Sequence, residues 1–397
     1  MVRIFFLHPD MGIGGAERLI ADMALALKQR EHDVTIYTTH HDTNHCFSET
    51  NDGTLLVAAK FDWLPRSVFG RCFALCAAVR MILLALYVRL FVCADIYIVD
   101  QVSICIPVLQ LLSSKKVLFY CHYPDLLLTD RGSFLKSLYR APLDYLEGWT
   151  TAQAHTILVN SLFTKGVVED TFSRVRDCAV LYPSLNTAKF DNGFEIVMHD
   201  VIPAGTEWTF LSLNRYERKK NINLALEAFA FLKNKCNNFE KCHLIIAGGY
   251  DERVSENVEH HLELEKASQD LNIHSQVTFL RSVPDATKLY LLRNSTVLLY
   301  TPSREHFGIV PIESMYCQTP VIAVNSGGPL ETIDHDVTGF LCEAQAGCFG
   351  EAMLRFVEDR ELGEKMGKAG KERVERLFSF EAFTEQLDSA VLKLCDK

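Results

Sequence analysis

The sequence predicts an α/β protein with two doubly wound halves, and three observations support this prediction. Short apolar runs of strand length alternate with helical stretches in two separate series. A polar stretch at 183–205, broken by prolines and glycines, separates the two series. The chain has 397 residues, enough for two domains with their own cores. We therefore expect a Rossmann-like domain at 1–195, a second at 206–378, and an amphipathic helix within 379–397.

The individual elements follow from apolar runs and their periodicity. In the first half, strands are predicted at 4–7, 34–38, 96–99, 117–120, 157–159 and near Val180, with helices at 16–30 and 161–172. In the second half, strands are predicted at 208–213, 244–247, 277–280, 297–300 and 321–324, with helices at 223–233, 258–271 and 286–293. The chain from Phe340 onward is predicted to be mainly helical. Such alternation gives parallel sheets covered on both faces, with ligand sites at the carboxyl ends of the strands.

The stretch 297–332 carries the most informative pattern. Glu305 lies in the loop before a predicted helix that begins near Ile309, and Glu313 lies inside that helix. A glycine turn at 326–328 opens a second helix at the same sheet edge. Two helix N-termini present unpaired N–H groups and partial positive charge, which suit an anion. Carboxylates beside an anion suggest hydroxyl donors, as in a nucleotide sugar, although a helix cap and a solvated glutamate fit the spacing equally well.

Two more motifs follow strands of the first half. Gly14 and Gly15 form a glycine turn that opens the first helix, where backbone N–H groups can approach a phosphate closely. A plain turn is the alternative. His122 follows the predicted strand at 117–120, and a histidine in this position has either a structural or a chemical role.

A pair of basic residues follows the first strand of the second half. Arg215 ends that strand, and Lys220 opens the next helix. A planar guanidinium binds phosphate through two hydrogen bonds, and an ammonium acts as a point charge, so the pair suits a diphosphate. Solvated surface charges are the alternative.

Composition excludes some classes of function. A formal net charge of −10 with no basic stripe argues against a nucleic-acid partner. The 13 cysteines include no C-x2-C pair, which indicates reduced thiols in the cytosol instead of a disulfide framework or a zinc site. The apolar run at 4–7 is too short for a signal peptide and is predicted to be a strand.

The most hydrophobic segment, 74–93, has nearly the length of a membrane span. Arg80 and Arg89 would each cost about 2.5–3.5 kcal/mol near the centre of a spanning helix. We therefore expect a helix on the membrane surface whose arginines meet lipid headgroups. A buried helix with two snorkelling arginines is the alternative.

With these motifs the sequence resembles family 4 of the retaining glycosyltransferases, which have the GT-B fold. The donor site of that family carries two glutamates at E-x7-E spacing, and Glu305, Phe307, Gly308 and Glu313 stand at its positions. The resemblance extends over nearly the whole chain through three further motifs: 14–17 (GGAE), 122–125 (HYPD) and 214–221 (NRYERKKN). It implies two Rossmann-like domains facing a cleft, with the C-terminal helix crossing back to the first domain.

The resemblance also assigns roles to residues. Glu305 would grip the sugar hydroxyls, Glu313 the ribose, and His122 a hydroxyl of the transferred sugar. The implied catalytic set is Glu305, His122, Lys220 and Arg215. The implied donor-binding set is Gly14, Gly15, Arg215, Lys220, Arg281, Glu305, Phe307, Gly308, Ile309, Val310 and Glu313. No metal or other cofactor is expected, because the motifs contain no D-x-D pair and the two cations already face the leaving group.

Within that family, the motifs look most like those of mannosyltransferases that build dolichol-linked oligosaccharides for N-glycosylation. The implied donor is GDP-mannose, and the implied acceptor is monomannosyl-chitobiosyl-diphosphodolichol, extended by an α-1,3 and then an α-1,6 mannose. The expected location is the cytosolic face of the endoplasmic reticulum membrane, where a complex with other enzymes of the pathway is an open expectation. Two alternatives remain: a UDP-sugar donor, since the base would be recognised by backbone near Arg281 and Ser282, and a non-catalytic protein that binds sugars or lipid diphosphates.

Overall fold

The computed structural model describes residues 1–68, 70–111, 114–129, 132, 134–191 and 201–395. The chain forms two compact units. Met1–Ser184 and Phe380–Lys397 make up the first, and Leu185–Ser379 makes up the second. The predicted domain boundary at residue 195 lies outside the described residues.

The described residues contain the following regular elements. The strands are β1 (Arg3–His8), β2 (Asp33–Thr38), β3 (Leu56–Ala59), β4 (Ile96–Asp100), β5 (Lys116–Cys121), β6 (Thr156–Val159), β7 (Ala179–Val180), β8 (Trp208–Leu213), β9 (Cys242–Gly248), β10 (Val277–Arg281), β11 (Val297–Tyr300), β12 (Val321–Val324) and β13 (Gly339–Cys342). The helices are α1 (Gly15–Gln29), α2 (Phe73–Phe91), α3 (Ile106–Gln110), α4 (Asp125–Leu128), α5 (Phe134–Thr151), α6 (Leu162–Thr171), α7 (Ala188–Asp191), α8 (Asn223–Lys233), α9 (Ser255–Asp270), α10 (Asp285–Asn294), α11 (Ile309–Tyr316), α12 (Pro329–Thr332), α13 (Ala346–Glu358), α14 (Arg360–Leu377) and α15 (Phe380–Cys395).

Each unit is built on one parallel sheet. The sheet of the first unit has the order β3-β2-β1-β4-β5-β6-β7, and that of the second has the order β10-β9-β8-β11-β12-β13. All the pairings are parallel, with helices in the connections, so the prediction of two doubly wound halves is confirmed. The carboxyl ends of β1, β4 and β5 are neighbours in the first sheet, and those of β9, β8 and β11 in the second.

Two edge strands and one long helix were not predicted. β3 is partly exposed along its length, so its sequence lacks the continuous apolar run of a buried strand. β13 has only four residues, too short a run to stand out in the sequence. The helices α13, α14 and α15 follow it, so the prediction of a mainly helical chain from Phe340 onward is confirmed. α5 occupies 18 residues that no predicted element covered. Its apolar residues are largely on the exposed side, which obscures the usual pattern of a core-facing helix.

The C-terminal helix α15 belongs to the core of the first unit. Phe383, Leu387 and Val391 recur at helical spacing and are buried in the same cluster as α1. Arg30 donates a hydrogen bond to Glu381 at 2.8 Å, and this pair fastens the start of the helix. Burial of these apolar side chains, at roughly 1.5–3 kcal/mol each, supplies most of the attachment.

Helix α2 covers the opposite face of the first sheet. By length and composition it is apolar enough to cross a membrane, and 39% of its apolar window is buried in the unit. Met81, Leu84 and Val88 face the sheet and are fully buried. Arg80 is 6% exposed and donates a hydrogen bond to the carbonyl of Thr39 at 2.9 Å. The expectation that this arginine meets lipid headgroups is therefore wrong. Its guanidinium is buried in the fold, where a backbone carbonyl accepts its hydrogen bond in place of water.

Candidate functional site

The second unit has a cavity of about 520 Å³ at the carboxyl ends of its central strands. Its lining comes from the ends of β8, β9 and β11, the loop after β10, helix α10 and the start of α11: Leu213, Asn214, Arg215, Lys220, Gly248, Gly249, Ser282, Val283, Lys288, Tyr300, Glu305, Gly308, Ile309 and Val310. Six of the predicted site residues lie together here. They are Arg215, Lys220, Glu305, Gly308, Ile309 and Val310. This is the edge at which doubly wound sheets bind ligands.

Lys220 and Glu305 line this cavity as an ion pair. The Lys220 ammonium donates a hydrogen bond to Glu305 Oε2 at 2.5 Å. The two side chains are only 13% and 26% exposed, so solvent screens this pair less than a surface pair. Thr301 donates a hydrogen bond to the Lys220 carbonyl at 2.8 Å and so ties the lysine turn to the end of β11. The arrangement places one cation and one anion side by side with room for a ligand.

Arg215 supplies a second, more exposed cation. Its side chain is 62% exposed and pairs with Glu217 at 2.9 Å. The stem of the arginine lies close to Gly249, since a Cβ there would come within 3.2 Å of Arg215 Cγ. A Cβ on Gly248 would come within 1.8 Å of the Asn214 carbonyl, so only glycine permits this approach of the ends of β8 and β9. At these two glycines the cavity is lined by main chain without side chains, so a large anion can approach the backbone closely.

The loop that carries Glu305 is held by its own turns. Gly308 has a φ of 83°, and a Cβ there would also come within 3.1 Å of the Tyr300 hydroxyl. The Gly328 amide donates a hydrogen bond to the Glu305 carbonyl at 2.7 Å, and a Cβ on Gly328 would come within 2.3 Å of the Phe307 carbonyl. The glycine turn at 326–328 therefore does not form the anion-facing helix N-terminus that the sequence predicted. α12 has four residues, and the amide of Gly328, the residue before it, holds the Glu305 loop instead of facing an anion.

Glu313 lies beneath the cavity and does not line it. Its side chain is 12% exposed, and both carboxyl oxygens lie 2.7 Å from the Lys288 ammonium. Burial raises the pKa of Glu313, although the Lys288 charge opposes this shift. Lys288 lines the cavity above it. Contact between Glu313 and a ligand therefore requires this ion pair to open or to be shared.

Two other predicted donor-site residues lie next to the cavity without lining it. Phe307 is 6% exposed, and its ring packs edge-on against Phe378 with centroids 5.8 Å apart. Arg281 is exposed at the end of β10, and its guanidinium lies 5.0 Å from the ring centroid of Tyr250. Phe307 is thus a packing residue in this structure. The Arg281 side chain covers an aromatic face at the rim.

The remaining predicted residues, Gly14, Gly15 and His122, belong to the first unit. Gly14 precedes α1 with an extended backbone, and its missing Cβ leaves room for the Glu17 carboxylate. His122 follows β5 and contacts Asp100 Oδ2 through Nε2 at 2.8 Å. The other oxygen of Asp100 forms a short hydrogen bond with Nδ1 of His8.

Sequence reasoning missed four groups of this chemistry. His8 and Asp100 are the last residues of buried strands, and a polar residue at a strand end was the signal. The Gly248-Gly249 pair at the end of β9 carried the same glycine signal as Gly14-Gly15. Lys288 gave no signal, because a lysine in the middle of a helix is ordinary. Among the described residues, no group of three or more histidine, cysteine or acidic side chains is placed to hold a metal ion.

Comparisons with known families agree with this geometry. The sequence model of the family "Glycosyltransferase Family 4" matches residues 13–189, and that of "Glycosyl transferases group 1" matches residues 196–373. Among similar proteins, "Alpha-1,3/1,6-mannosyltransferase ALG2" of Homo sapiens is 55% identical over 98% of this chain and 96% of its own length. The protein of the same name from Saccharomyces cerevisiae is 39% identical over 98% of this chain and 84% of its own length.

Solved structures share the fold at much lower identity. Sucrose-phosphate synthase from Thermosynechococcus elongatus superposes with a TM-score of 0.77 at 20% identity, covering 99% of both chains. Anabaena Alr3699/HepE in complex with UDP has a TM-score of 0.74 at 16% identity, covering 98% of this chain and 100% of its own. The predicted GT-B fold class is confirmed.

Proposed function

The chain belongs to the family of α-1,3/1,6-mannosyltransferases, and on that premise we propose that it moves mannose from GDP-mannose to a dolichol-diphosphate-linked oligosaccharide. The acceptor is monomannosyl-chitobiosyl-diphosphodolichol, which gains an α-1,3 and then an α-1,6 mannose with retention of configuration. The observation that carries the proposal is the ion pair of Lys220 and Glu305 inside the cavity of the second unit, at 2.5 Å. The ion pair supplies an ammonium for the diphosphate and a carboxylate for the sugar of a nucleotide sugar.

The cations account for the departing diphosphate. Bond breaking places negative charge on GDP, and preorganised positive groups lower the energy of that charge in the transition state. An ammonium has three N–H donors, and Lys220 uses one on Glu305, so others can meet phosphate oxygens. Arg215 reaches over the floor made by Gly248 and Gly249 and can exchange Glu217 for a phosphate. The start of α11 adds its unpaired N–H groups.

The carboxylate accounts for the sugar. Glu305 accepts the hydrogen bond of Lys220 through Oε2. Its other oxygen, Oε1, is then available to accept hydrogen bonds from mannose hydroxyls. The ion pair fixes the orientation of the Glu305 carboxylate before the donor binds. Little further conformational entropy of this side chain is then lost when the sugar is positioned for the reaction. Glu313 then serves the ribose, with Lys288 shared between the carboxylate and the ligand. His122 hydrogen-bonds a substrate hydroxyl in this scheme.

We also propose that transfer needs no divalent metal. In metal-dependent transferases, the ion neutralises the charge of the leaving diphosphate. Lys220, Arg215 and Lys288 can supply that charge from the protein. Base recognition by backbone near Ser282 would not separate guanine from uracil, so a UDP-sugar is the competing donor.

An apolar surface on the first unit supports action at a membrane. The outer faces of α2 and α5 expose large apolar side chains: Phe73, Leu75, Leu90 and Phe91 on α2, and Phe134, Leu135 and Leu138 on α5. The Leu75 amide donates a hydrogen bond to the Tyr139 hydroxyl at 3.1 Å, which joins the two helices. Extended exposed apolar surfaces mark membrane or partner contacts. We place this surface on the cytosolic leaflet of the endoplasmic reticulum membrane, where a lipid-linked acceptor is held.

The test is transfer of labelled sugar to a synthetic lipid-linked acceptor by the purified protein. The proposal expects mannose transfer from GDP-mannose in the presence of EDTA, with the α anomeric configuration of the donor kept in the product. Transfer from UDP-glucose in preference to GDP-mannose would move the assignment to another donor. Activity that disappears with EDTA and returns with Mg²⁺ would contradict the metal-free mechanism. Binding of GDP-mannose without any transfer would favour a non-catalytic sugar-binding protein.

A further inference from the structure

Three neighbouring strands of the first unit end in a line of titratable side chains. His8 ends β1, Asp100 ends β4, and His122 follows β5. The strands are adjacent in the sheet, so their carboxyl ends bring the three side chains together. The Asp100 carboxylate bridges both rings, through Oδ1 to His8 Nδ1 and through Oδ2 to His122 Nε2 at 2.8 Å.

The members of this line differ sharply in their access to solvent. The side chains of His8 and Asp100 are completely buried, whereas His122 is 27% exposed. Only His122 can therefore meet a substrate. On the far side, His8 Nε2 lies 3.8 Å from Glu17 Oε1, an ion-pair distance too long for a hydrogen bond.

Charge in this line alternates. Burial disfavours a charged His8, but Asp100 and Glu17 outweigh it and raise the pKa of His8 to about 10. Burial also opposes ionisation of Asp100, but the His8 charge and the hydrogen bonds from His122 and His8 lower its pKa. His8 is thus an imidazolium between two carboxylates.

This arrangement has a consequence for His122. A lone buried carboxylate would draw a proton onto any imidazole that touches it. Here the positive charge of His8 balances Asp100, whose Oδ2 lies 2.8 Å from His122 Nε2. In a neutral imidazole, a proton on the nitrogen that faces the carboxylate leaves the other nitrogen to accept a hydrogen bond from a hydroxyl.

We propose that His8 and Asp100 are positioning residues that keep His122 neutral with its proton on Nε2, so that Nδ1 accepts a hydrogen bond from a substrate hydroxyl. This inference rests on the proposed function, because it is in the transfer reaction that His122 meets such a hydroxyl. The other titratable groups around Asp100 are Tyr120, whose ring centroid lies 4.9 Å from that of His122, and the thiols of Cys105 and Cys121. Burial raises the pKa of all three, so they stay neutral at ordinary pH.

The experiment measures kcat as a function of pH for the full chain and for His8→Gln. Removal of the balancing imidazolium leaves Asp100 to favour a protonated His122. The acidic limb of the profile should therefore move to higher pH by about one unit or more. Asp100→Asn should move this limb to lower pH and reduce kcat, because the amide no longer fixes the tautomer. In His32→Gln the limb should stay in place: His32 is a matched control, nearly buried and 2.8 Å from Asp388 in the same unit.

A histidine NMR titration separates this inference from the proposed function. The His122 Cε1–H signal, assigned by its loss in His122→Gln, reports the ring's charge without any turnover. The inference expects the titration midpoint to rise in His8→Gln even if the protein transfers no mannose. An unchanged midpoint and pH profile in a folded His8→Gln, with only a lower Tm, would show that His8 is merely structural and overturn the inference. If His8→Gln does not fold, an unchanged midpoint in Asp100→Asn overturns it equally.

Discussion

Lys220 and Glu305 lie 85 residues apart in the sequence, and their side chains meet in a 2.5 Å ion pair at the carboxyl ends of the adjacent strands β8 and β11. Neither charge is left alone in a partly buried place, where an unpaired charge would be costly. Because each partner keeps unused hydrogen-bonding capacity, the pair can admit a ligand without breaking. The ion pair thus prepares the cavity of the second unit for a nucleotide sugar.

Replacement of Lys220 tests the charge on the leaving group. Lys220→Ala should lower kcat by about 100-fold or more, equivalent to at least ~2.7 kcal/mol of lost transition-state stabilisation. Steady-state transfer assays with GDP-mannose measure this change. The matched control is Lys219→Ala: its side chain is 69% exposed and pairs with Glu217 at 3.1 Å, so its kcat should stay near that of the parent. Similar losses in both variants would show that general surface charge, and not the ion pair, matters.

Gly328 tests whether the glycine turn holds the Glu305 loop. The Cβ of Gly328→Ala would meet the Phe307 backbone at 2.3 Å, and backbone cannot move aside as a flexible side chain can. We expect a loss of about 1–3 kcal/mol in the free energy of unfolding and a raised KM for the donor. Thermal melts and donor titrations measure the two effects. The control Gly347→Ala lies in α13 with its nearest neighbour at 3.7 Å, and it should be neutral or stabilising because alanine favours helix.

Glu147 makes the stability of the first unit depend on pH. It accepts hydrogen bonds from the amides of Asp125 and Leu126 at 2.7 and 3.1 Å. Burial, with the nearby Asp125 charge, raises the pKa of Glu147 to about 7. The folded state therefore holds this proton more tightly than the unfolded state, so stability falls as pH rises from the unfolded value of 4.5 through about 7.

The comparison that isolates this effect is Glu147→Gln, which keeps an acceptor oxygen for one of the two amides and cannot ionise. The Tm of the parent should decline relative to that of the variant as the pH is raised across this window. Parallel Tm curves for the two proteins would contradict the assignment. A parent whose Tm rises relative to the variant over the same pH range would show that the pKa of Glu147 is lowered by folding, the opposite of the direction assigned here.

The apolar surface of α2 and α5 should bind membranes. Phe134 and Leu135 are 81% and 76% exposed, so a charged side chain at either position costs the fold little. The double variant Phe134→Glu/Leu135→Glu should lose most of its co-sedimentation with phosphatidylcholine vesicles, because insertion of a carboxylate is unfavourable. Leu262→Glu is the matched control, with a leucine 57% exposed on α9, and it should bind vesicles like the parent. Equal binding by all three proteins would exclude this surface as the membrane contact.

Much of the fold and part of the site follow from local sequence. Buried parallel strands are apolar throughout, so β8 and β11 stand out, and polar residues directly after them must lie at one edge. That reasoning put Lys220 and Glu305 each in a loop after a strand end, and the resemblance to family 4 implied that they share one site. It could not place Lys288, because its role depends on packing against α11 and on the burial of Glu313.

Arg80 shows a further limit. A charged residue in an apolar helix predicts a polar partner but does not say whether that partner is water, lipid or backbone. The tertiary structure supplies the carbonyl of Thr39. The short edge strands β3 and β13 escaped prediction for the same reason, since pairing with a neighbour makes them strands.

Calorimetric binding of GDP and of GDP-mannose to the parent, Lys220→Ala and Glu305→Ala tests the central claim most directly. If the cation holds the diphosphate and the carboxylate holds the sugar, Lys220→Ala weakens both ligands to a similar degree. Glu305→Ala then weakens GDP-mannose and leaves GDP unchanged or tighter, because the freed Lys220 turns fully to phosphate. A Glu305→Ala protein that loses GDP as strongly as GDP-mannose, or a Lys220→Ala protein that binds GDP like the parent, would contradict the account.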